Sequence, residues 1–315
     1  MASFAEPVPE HVVDPQTGRR QASLWRDTLG NVVRQRNAIV GLTILSVLFF
    51  TAIFADVIAT HDPVASLLGQ EQGVERRAGP CIHALGCSAE KSQHLLGTDG
   101  NFRDMYSRIV HGARISLRVG FLTVGFAIII GSLIGAISGY LGGFVDNLLM
   151  RLMDVLLSFP SLLLAIAILT VLGRGLINAQ LAIGIVAIPI YARVMRAAVL
   201  AVRDLDYVTA SRALGESNVG LLARRIVPNA LTPLIVQGTL GIGVAVLDVA
   251  ALSFLGLGAE PQIPEWGGMI GAERNQLFTA PHLILAPGLA ITLTVLGFNL
   301  LGDGLRDALD PRLNR

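Results

Sequence analysis

Charged residues are scarce in this chain of 315 residues. They make up 15% of it, whereas an ordinary soluble domain carries about 25%. The shortage excludes an intrinsically disordered chain, a coiled coil and a nucleic-acid-binding protein with a basic face. The net charge of +1 gives no sign of a polyanionic partner. Hydrophobic residues make up 52% and there are 34 glycines, a composition typical of an integral membrane protein because glycine is common in membrane-spanning helices.

Motifs for an independent catalytic centre are also missing. The chain has no G-x-x-x-x-G-K-S/T segment, which would bind nucleotide phosphates, and no zinc-protease H-E-x-x-H segment. A membrane-embedded hydrolase would need a nucleophile with its base, or two facing carboxylates. Asp248 has no evident acidic or histidine partner in another apolar segment. We therefore expect no catalytic residue, no metal site and no nucleotide site, and a passive channel is the other alternative.

Six stretches without Asp, Glu, Lys or Arg are near or above the roughly 20 residues that a helix needs to cross a bilayer. They are residues 38–55, 119–145, 155–173, 175–192, 226–247 and 275–302. The pattern predicts an all-α integral membrane protein with six transmembrane helices. Arg174, between two glycines, is expected in a tight turn at the membrane surface.

Six spans place both termini on one side. That side includes the loops 146–154 and 193–225 and carries fifteen of the 24 basic residues, so the positive-inside rule predicts that it is cytoplasmic. Four arginines precede the second span on the other side: Arg103, Arg108, Arg114 and Arg118. We expect them on an outer interfacial helix, where they reach lipid headgroups or pair with Asp99 and Asp104.

The chain is expected to form one membrane domain with one sizeable outer loop. No apolar region followed by a small-residue cleavage site begins it, so no signal peptide is predicted. The predicted parts are a cytoplasmic tail (1–37), a first transmembrane helix (38–59), an extracytoplasmic loop (60–113), a five-helix core (114–304) and a cytoplasmic C-terminal tail (305–315).

Two cysteines, Cys81 and Cys87, lie close together in the predicted outer loop. An oxidising exterior favours a disulfide between them, which would close a small loop through His83. The alternative is a metal site formed by Cys81, His83 and Cys87. Structural zinc sites usually have four ligands, so we favour a disulfide that fixes the loop and carries no chemistry.

The loop 203–228 carries the most informative pattern. Apolar or small residues recur there at positions i, i+3, i+4 and i+7, the spacing of one helical face. The first set is Tyr207, Ala210, Ser211 and Leu214, and the second is Val219, Leu222, Ala223 and Ile226. Gly215 is expected to end the first helix, Ser217 to cap the second and Pro228 to open the next span. Two short amphipathic helices are thus predicted, which either enter a partner's groove or rest on lipid headgroups.

This loop resembles the "EAA" loop of bacterial ABC-importer permeases, whose pattern is E-A-A, three residues, G, and later a hydrophobic residue before Pro. The pattern falls on Thr209-Ala210-Ser211, Gly215 and Val227-Pro228, with Thr209 in place of Glu and Ser211 in place of Ala. Further segments resemble permeases of the dipeptide, oligopeptide and nickel branch, most of all their second permease subunit. They are residues 96–104, 107–108, 112–117, 157–160, 252–258, 264–267 and 298–311. The Asn101-Phe102 pair and the Cys81–Cys87 insertion depart from the family pattern.

The resemblance implies a type I importer permease with the MetI-like fold and a cytoplasmic coupling helix, in the inner membrane of a bacterium. It implies four partners: a second, homologous permease, two ATPase subunits and an extracytoplasmic substrate-binding protein. ATP and Mg²⁺ would be bound by the ATPases, and this chain would carry no cofactor. The coupling contact would be made by Tyr207, Ala210, Ser211, Leu214 and Gly215. The implied cargo is a dipeptide or oligopeptide, with glutathione or a nickel chelate as the alternative.

Three residues are candidates for the translocation path, namely Asp248, Pro160 and Ser253. A carboxylate within a span is costly and usually faces a cavity or a partner. Asp248 would therefore either attract the ammonium group of a peptide or, as we favour here, form a hydrogen-bonded or protonated carboxyl that fastens two helices. Pro160 is expected to kink its helix, and Ser253 to lie near the outer mouth.

Overall fold

The computed structural model describes residues 35–88 and 91–309, and helices dominate that part of the chain. Five of them are long and apolar enough to cross a membrane. They are α1 (Arg36–Ile53), α3 (Met105–Leu141), α6 (Leu176–Val202), α8 (Val227–Phe254) and α10 (His282–Leu309). Five shorter helices are α2 (Ala55–Ile58), α4 (Gly143–Leu157), α5 (Ser161–Leu172), α7 (Asp206–Ala213) and α9 (Trp266–Glu273). Of these, α7 lies in the predicted coupling loop. The predicted all-α fold is confirmed.

The third predicted span is a bent pair of helices. α4 and α5 meet at 94°, and together they can count as a sixth span. The predicted span 155–173 is therefore broken at Pro160, where a kink was expected, whereas the prediction of a loop at 146–154 was wrong because these residues lie within α4. Pro160 explains the break, because it has no backbone N–H and disfavours helical geometry in the residue before it.

Ion pairs explain why α4 forms where a loop was predicted. Arg196 of α6 lies 2.5 Å from Asp146, and Arg193 lies 2.5 Å from Asp154. Ser138 near the end of α3 also donates to Asp146. Because each acidic group on α4 has a cationic or hydroxyl partner on a neighbouring helix, α4 packs against α6 despite its charges.

Two of the four arginines before the second span, Arg103 and Arg108, lie within the protein, whereas Arg118 is exposed. α3 begins at Met105, where the Asp104 carboxylate accepts from the Ser107 backbone N–H at 2.7 Å, so no separate interfacial helix precedes it. Arg103 and Arg108 are buried and both reach Asp99, at 2.7 and 3.7 Å. The pairing with Asp99 was predicted, whereas the expected pairing with Asp104 and the contact with headgroups were not found for these two arginines.

Three glycines of α3 allow α6 to approach closely. They stand four residues apart, at Gly131, Gly135 and Gly139, on the face that meets α6. A Cβ atom at Gly135 would lie 2.2 Å from the carbonyl oxygen of Ala192. Small residues at this spacing let membrane helices pack backbone to backbone.

Both described ends of the chain lie at the same end of the bundle. Ala38 of α1 and Ala308 of α10 are buried against each other, while the far end of α1 meets the start of α3 through Arg114, which donates to the Ala52 carbonyl at 2.9 Å. The helix α10 continues to Leu309, so the described part of the predicted C-terminal tail, residues 305–309, is helical, and the rest of that tail lies outside the described residues. The predicted N-terminal tail falls almost wholly outside the described residues.

The segment between α2 and α3 forms a folded loop at the opposite end. Cys81 and Cys87 are joined in a disulfide with their Cα atoms 5.5 Å apart, and His83 contacts the Lys91 carbonyl at 2.8 Å. The zinc alternative for these cysteines is thereby excluded. Arg77 lies 2.8 Å from Glu273 of α9, which ties the loop to the bundle.

Candidate coupling surface and central cavity

The helix α7 is held on the bundle by its one buried residue. Val208 is fully buried and belongs to the apolar cluster that includes Leu221 and Ile226. A single apolar contact of this kind anchors one side of an eight-residue helix and leaves the other sides exposed.

The predicted coupling residues lie mainly on the free surface of this helix. Tyr207 is 41% and Leu214 89% exposed, Ala210 is exposed, and Ser211 is half-buried with its hydroxyl donating to the Tyr207 carbonyl at 2.9 Å. Gly215 has a φ of +87°, a left-handed conformation that glycine adopts without strain at a helix end. Together these five residues, called the α7 surface below, form an exposed patch with small side chains at its centre.

Hydrogen bonds connect the α7 region to two of the long helices. The Tyr207 hydroxyl donates to the Arg225 carbonyl at 3.4 Å, and Arg225 lies 3.0 Å from Glu216. Arg203 donates to the Gly139 carbonyl at 2.8 Å, near the end of α3. Tyr207 thus joins α7 to the segment that leads into α8, and Arg203, in the short connection between α6 and α7, joins that connection to α3.

The second predicted amphipathic helix is continuous with the next span. Ser217 caps it as expected, accepting from the Gly220 N–H at 3.2 Å, but a π-helical segment, Leu221–Ile226, then joins α8 without a break. Pro228 lacks the N–H that a regular helix would donate to Arg224, and the wider π turn accommodates this loss. The prediction of a separate helix under the membrane was wrong here.

A cavity of about 220 Å³ lies among α3, α6 and α8, near the middle of their lengths. Its polar lining includes Thr123, Tyr191, Gln237 and Asp248. Phe159 and Ser161, on either side of Pro160, also line it, so the break between α4 and α5 borders the cavity. Of these groups, sequence reasoning found Asp248 and the proline break and missed Tyr191 and Gln237. Both missed residues are polar positions within predicted spans, and that signal was available.

Asp248 faces the cavity without a partner. Its side chain is half-buried, and within residues 35–88 and 91–309 it forms no hydrogen bond or ion pair. The bond between two helices that we favoured from the sequence is therefore absent from the described structure. An ionisable group with no protein partner in a span is available to a ligand or to water.

Ser253 lies apart from this cavity. It is 3% exposed and accepts a hydrogen bond from the Ala259 N–H at 3.1 Å. It lines a different cavity of about 190 Å³, which also contains Arg103 and Glu273 and lies beside the outer loop. The structure thus brings Asp248 and the Pro160 break together and leaves Ser253 out.

Glu265, beside Ser253, caps α9. Its carboxylate accepts from the backbone N–H groups of Gly267 and Gly268 at 2.9 and 2.8 Å. The side chain is buried, and burial raises the pKa of Glu265 despite these hydrogen bonds. Its position indicates a structural role in holding the α8–α9 connection.

The sequence matches two family profiles. One, described as "Binding-protein-dependent transport system inner membrane component", matches residues 131–315, more than half of the chain. The chain belongs to this family. The other, described as "N-terminal TM domain of oligopeptide transport permease C", matches residues 23–80. These matches confirm the resemblance to ABC-importer permeases of the dipeptide and oligopeptide branch.

Individual relatives cover nearly the whole chain. The "Dipeptide transport system permease protein DppC" of Alkalihalophilus pseudofirmus is 43% identical over 299 residues, which are 95% of this chain and 93% of the relative. The protein of the same name from Escherichia coli K12 is 47% identical over 282 residues, 90% and 91% of the two chains. A "Glutathione transport system permease protein GsiD" from Escherichia coli is 40% identical over 289 residues, 92% and 91% of the two chains.

A solved structure shares the fold. It is described as "Inward facing conformations of the MetNI methionine ABC transporter" and aligns with a TM-score of 0.52 at 20% identity, over 65% of this chain and 98% of that chain. At this identity the likeness concerns the fold alone, and it confirms the predicted MetI-like architecture. The family match and the relatives show that the chain is a multi-pass membrane component of an ABC transporter.

Proposed function

We propose that this chain is one of two permease subunits of an ATP-driven importer that takes up dipeptides or short oligopeptides. The family and the relatives named as dipeptide and glutathione permeases support this cargo class. The observation that carries the coupling role is the α7 surface, which is exposed and small at its centre and yet hydrogen-bonded through Tyr207 to the segment that leads into α8.

The α7 surface docks into a groove of an ATPase subunit in this proposal. Its apolar periphery, Tyr207 and Leu214, would be buried there, and Ala210 would allow the close approach of the two backbones. Closure of the ATPases on ATP would move α7, and the movement would reach α3 through Arg203 and α8 through Arg225. The nucleotide and Mg²⁺ would be held by the ATPases, and this chain would be a transport subunit without a catalytic site of its own.

The end of the bundle that carries α7 and both described termini faces the cytoplasm in this proposal. The disulfide-containing loop would then lie on the oxidising outer side, where a substrate-binding protein delivers peptide. The second, homologous permease would complete the path in the inner membrane. The 220 Å³ cavity with Asp248 would form this chain's half of that path, with the carboxylate attracting a peptide ammonium group.

The experiment is transport by the complete assembly in proteoliposomes, with each subunit omitted in turn. We expect uptake of a labelled dipeptide only when both permeases, the ATPases, the binding protein and ATP are present. Uptake without nucleotide would indicate a channel, and uptake of glutathione but not of dipeptides would change the cargo.

A substitution in the α7 surface tests the coupling role within the same assembly. Ala210→Trp is expected to abolish uptake and substrate-stimulated ATP hydrolysis, whereas Ala210→Ser keeps the side chain small and retains both. Ala201→Trp, at an exposed alanine near the end of α6, is the matched control for an added surface tryptophan. If Ala210→Trp retains full uptake and stimulated hydrolysis, the coupling role is wrong.

A further inference from the structure

Three side chains distant in sequence converge in the outer loop. His61 Nε2 lies 2.8 Å from Glu71 Oε1, and His94 Nε2 lies 3.5 Å from Glu71 Oε2. One ligand atom from each of the three residues lies within 4.8 Å of the others. They come from the segment after α2, from a turn, and from the segment that leads into α3.

His94 is the most informative of the three. Its side chain is 1% exposed, its Nδ1 lies 2.9 Å from Asp104 Oδ1, and its Nε2 has no hydrogen-bond partner. Asp104 is itself fixed at the start of α3 by the Ser107 N–H. A carboxylate that orients one imidazole nitrogen while the other points at further ligands is the usual second shell of a metal-bound histidine.

The hydrogen bond to Asp104 determines what His94 Nε2 can do. When Nδ1–H donates to the carboxylate, Nε2 carries a lone pair, and this lone pair faces the acceptor Oε2 of Glu71. Two facing acceptors repel each other unless a proton or a metal ion lies between them. His61 directs a second imidazole nitrogen at the same carboxylate, so ligand atoms from three residues converge on one point.

We propose that His61, Glu71 and His94 form a binding site for a divalent first-row transition metal ion such as Zn²⁺, with Asp104 orienting His94. Two imidazoles and one carboxylate are a ligand set that zinc uses, with the fourth position open to water or an outside ligand. Ligands about 2.0 Å from a tetrahedral ion are about 3.3 Å apart; here His61 Nε2 and His94 Nε2 lie 2.8 and 3.5 Å from different oxygens of Glu71, and the three ligand atoms lie within 4.8 Å of one another. Hard cations such as Mg²⁺ prefer oxygen ligands and fit this site less well.

The metal would join parts of the loop that the disulfide does not reach. Cys81 and Cys87 close only a short segment, whereas His61 and His94 lie 33 positions apart and flank it. A bound ion therefore holds the whole loop against the start of α3, since Asp104 belongs to both the site and the helix cap. Metal binding is expected to stabilise the folded protein through this linkage.

The test is metal binding by the purified full-length chain in detergent. After chelator treatment and dialysis, Zn²⁺ alone is titrated, metal content is measured by mass spectrometry, and the thermal midpoint is recorded with and without Zn²⁺. We expect one tightly bound zinc ion per chain and a higher midpoint with Zn²⁺. Co²⁺ in place of Zn²⁺ should give visible absorption bands of a site with nitrogen and oxygen ligands.

Variants identify the ligands. His61→Ala and Glu71→Gln alter partly exposed side chains, so both should fold with the metal-free midpoint of the wild type and lose the tight site. His83→Ala is the matched control, because His83 lies in the same loop outside the cluster. Asp104→Asn should weaken binding about 10- to 100-fold. The proposal is overturned if the wild type binds no zinc, or if His61→Ala and Glu71→Gln bind it as tightly as the wild type and His83→Ala.

Discussion

The contact between α3 and α6 makes a strong prediction about Gly135. In Gly135→Ala the new methyl group would lie 2.2 Å from the Ala192 carbonyl oxygen and 2.9 Å from the Arg196 nitrogen and the Met195 Cβ. Ordinary contacts begin near 3.4 Å, so the two helices must separate by roughly 1 Å. Overpacking of this kind costs about 1–3 kcal/mol. The gain from replacing a helical glycine by alanine, about 0.5–1 kcal/mol, offsets only part of it.

The assay is the thermal midpoint of the purified chain in detergent, followed by intrinsic fluorescence. A net loss of 1 kcal/mol lowers the midpoint by about 2–4 °C in a domain of roughly 150–250 residues, so a fall of a few degrees is expected for Gly135→Ala. Gly125→Ala is the matched control, because it lies on the same helix and its Cβ would have no atom within 4 Å. It should leave the midpoint unchanged or raise it. Equal midpoints for the two variants would refute the close α3–α6 packing.

Three further predictions concern carboxylates. The hydrogen bond from Arg114 holds the pKa of Asp56 below its ordinary 3.8. The ionised Asp56 carboxylate therefore stabilises the fold above pH 3.8, and this stabilisation is lost as the pH falls below that value. Asp56→Asn should accordingly lose less thermal stability than the wild type between about pH 5 and pH 3. Burial raises the pKa of Glu265 above 4.5, so ionisation of this group lowers the stability of the fold as the pH rises. At pH 7 Glu265→Gln should therefore have a thermal midpoint equal to or higher than that of the wild type. Glu265→Ala removes the helix cap and should lower the free energy of unfolding by about 1 kcal/mol. Asp248→Asn should lower uptake of free dipeptides about tenfold, equivalent to about 1.4 kcal/mol, and affect N-acetylated dipeptides much less; an equal effect on both in the uptake assay would contradict attraction of the ammonium group.

The apolar runs predicted the positions of the long helices well, because about 20 apolar residues in a row have few structural alternatives. They did not reveal how sharply the chain bends at Pro160, where only a kink was expected, because an apolar run conceals the size of a change of direction when both halves face lipid or protein. They also placed the start of α3 too late, at residue 119 instead of Met105, and the end of α6 too early, at residue 192 instead of Val202. Arg108 and Arg196 lie inside these helices since each has an acidic partner, Asp99 or Asp146, that sequence alone does not reveal.

The functional features also differed in whether the sequence alone could predict them. The α7 surface was readable because its spacing, the glycine at its end and the serine cap all lie within 15 residues. The spacing of Gly131, Gly135 and Gly139 was equally local and could have predicted the α3–α6 contact. The cluster of His61, Glu71 and His94 could not be found this way, because it depends on the path of a loop without helical or strand periodicity.

Site-directed cross-linking tests the central claim, that the α7 surface contacts an ATPase subunit, most directly. The two native cysteines are joined in a disulfide, so Ala210→Cys supplies a single reactive thiol in the described part of the chain. In the assembled transporter we expect a short thiol-to-amine reagent to join this cysteine to the ATPase. Leu255→Cys, 57% exposed in its native form at the other end of α8, is the control and should give no such product. Absence of the ATPase product from Ala210→Cys in an assembly that transports peptide, or an equal product from Leu255→Cys, would contradict the account.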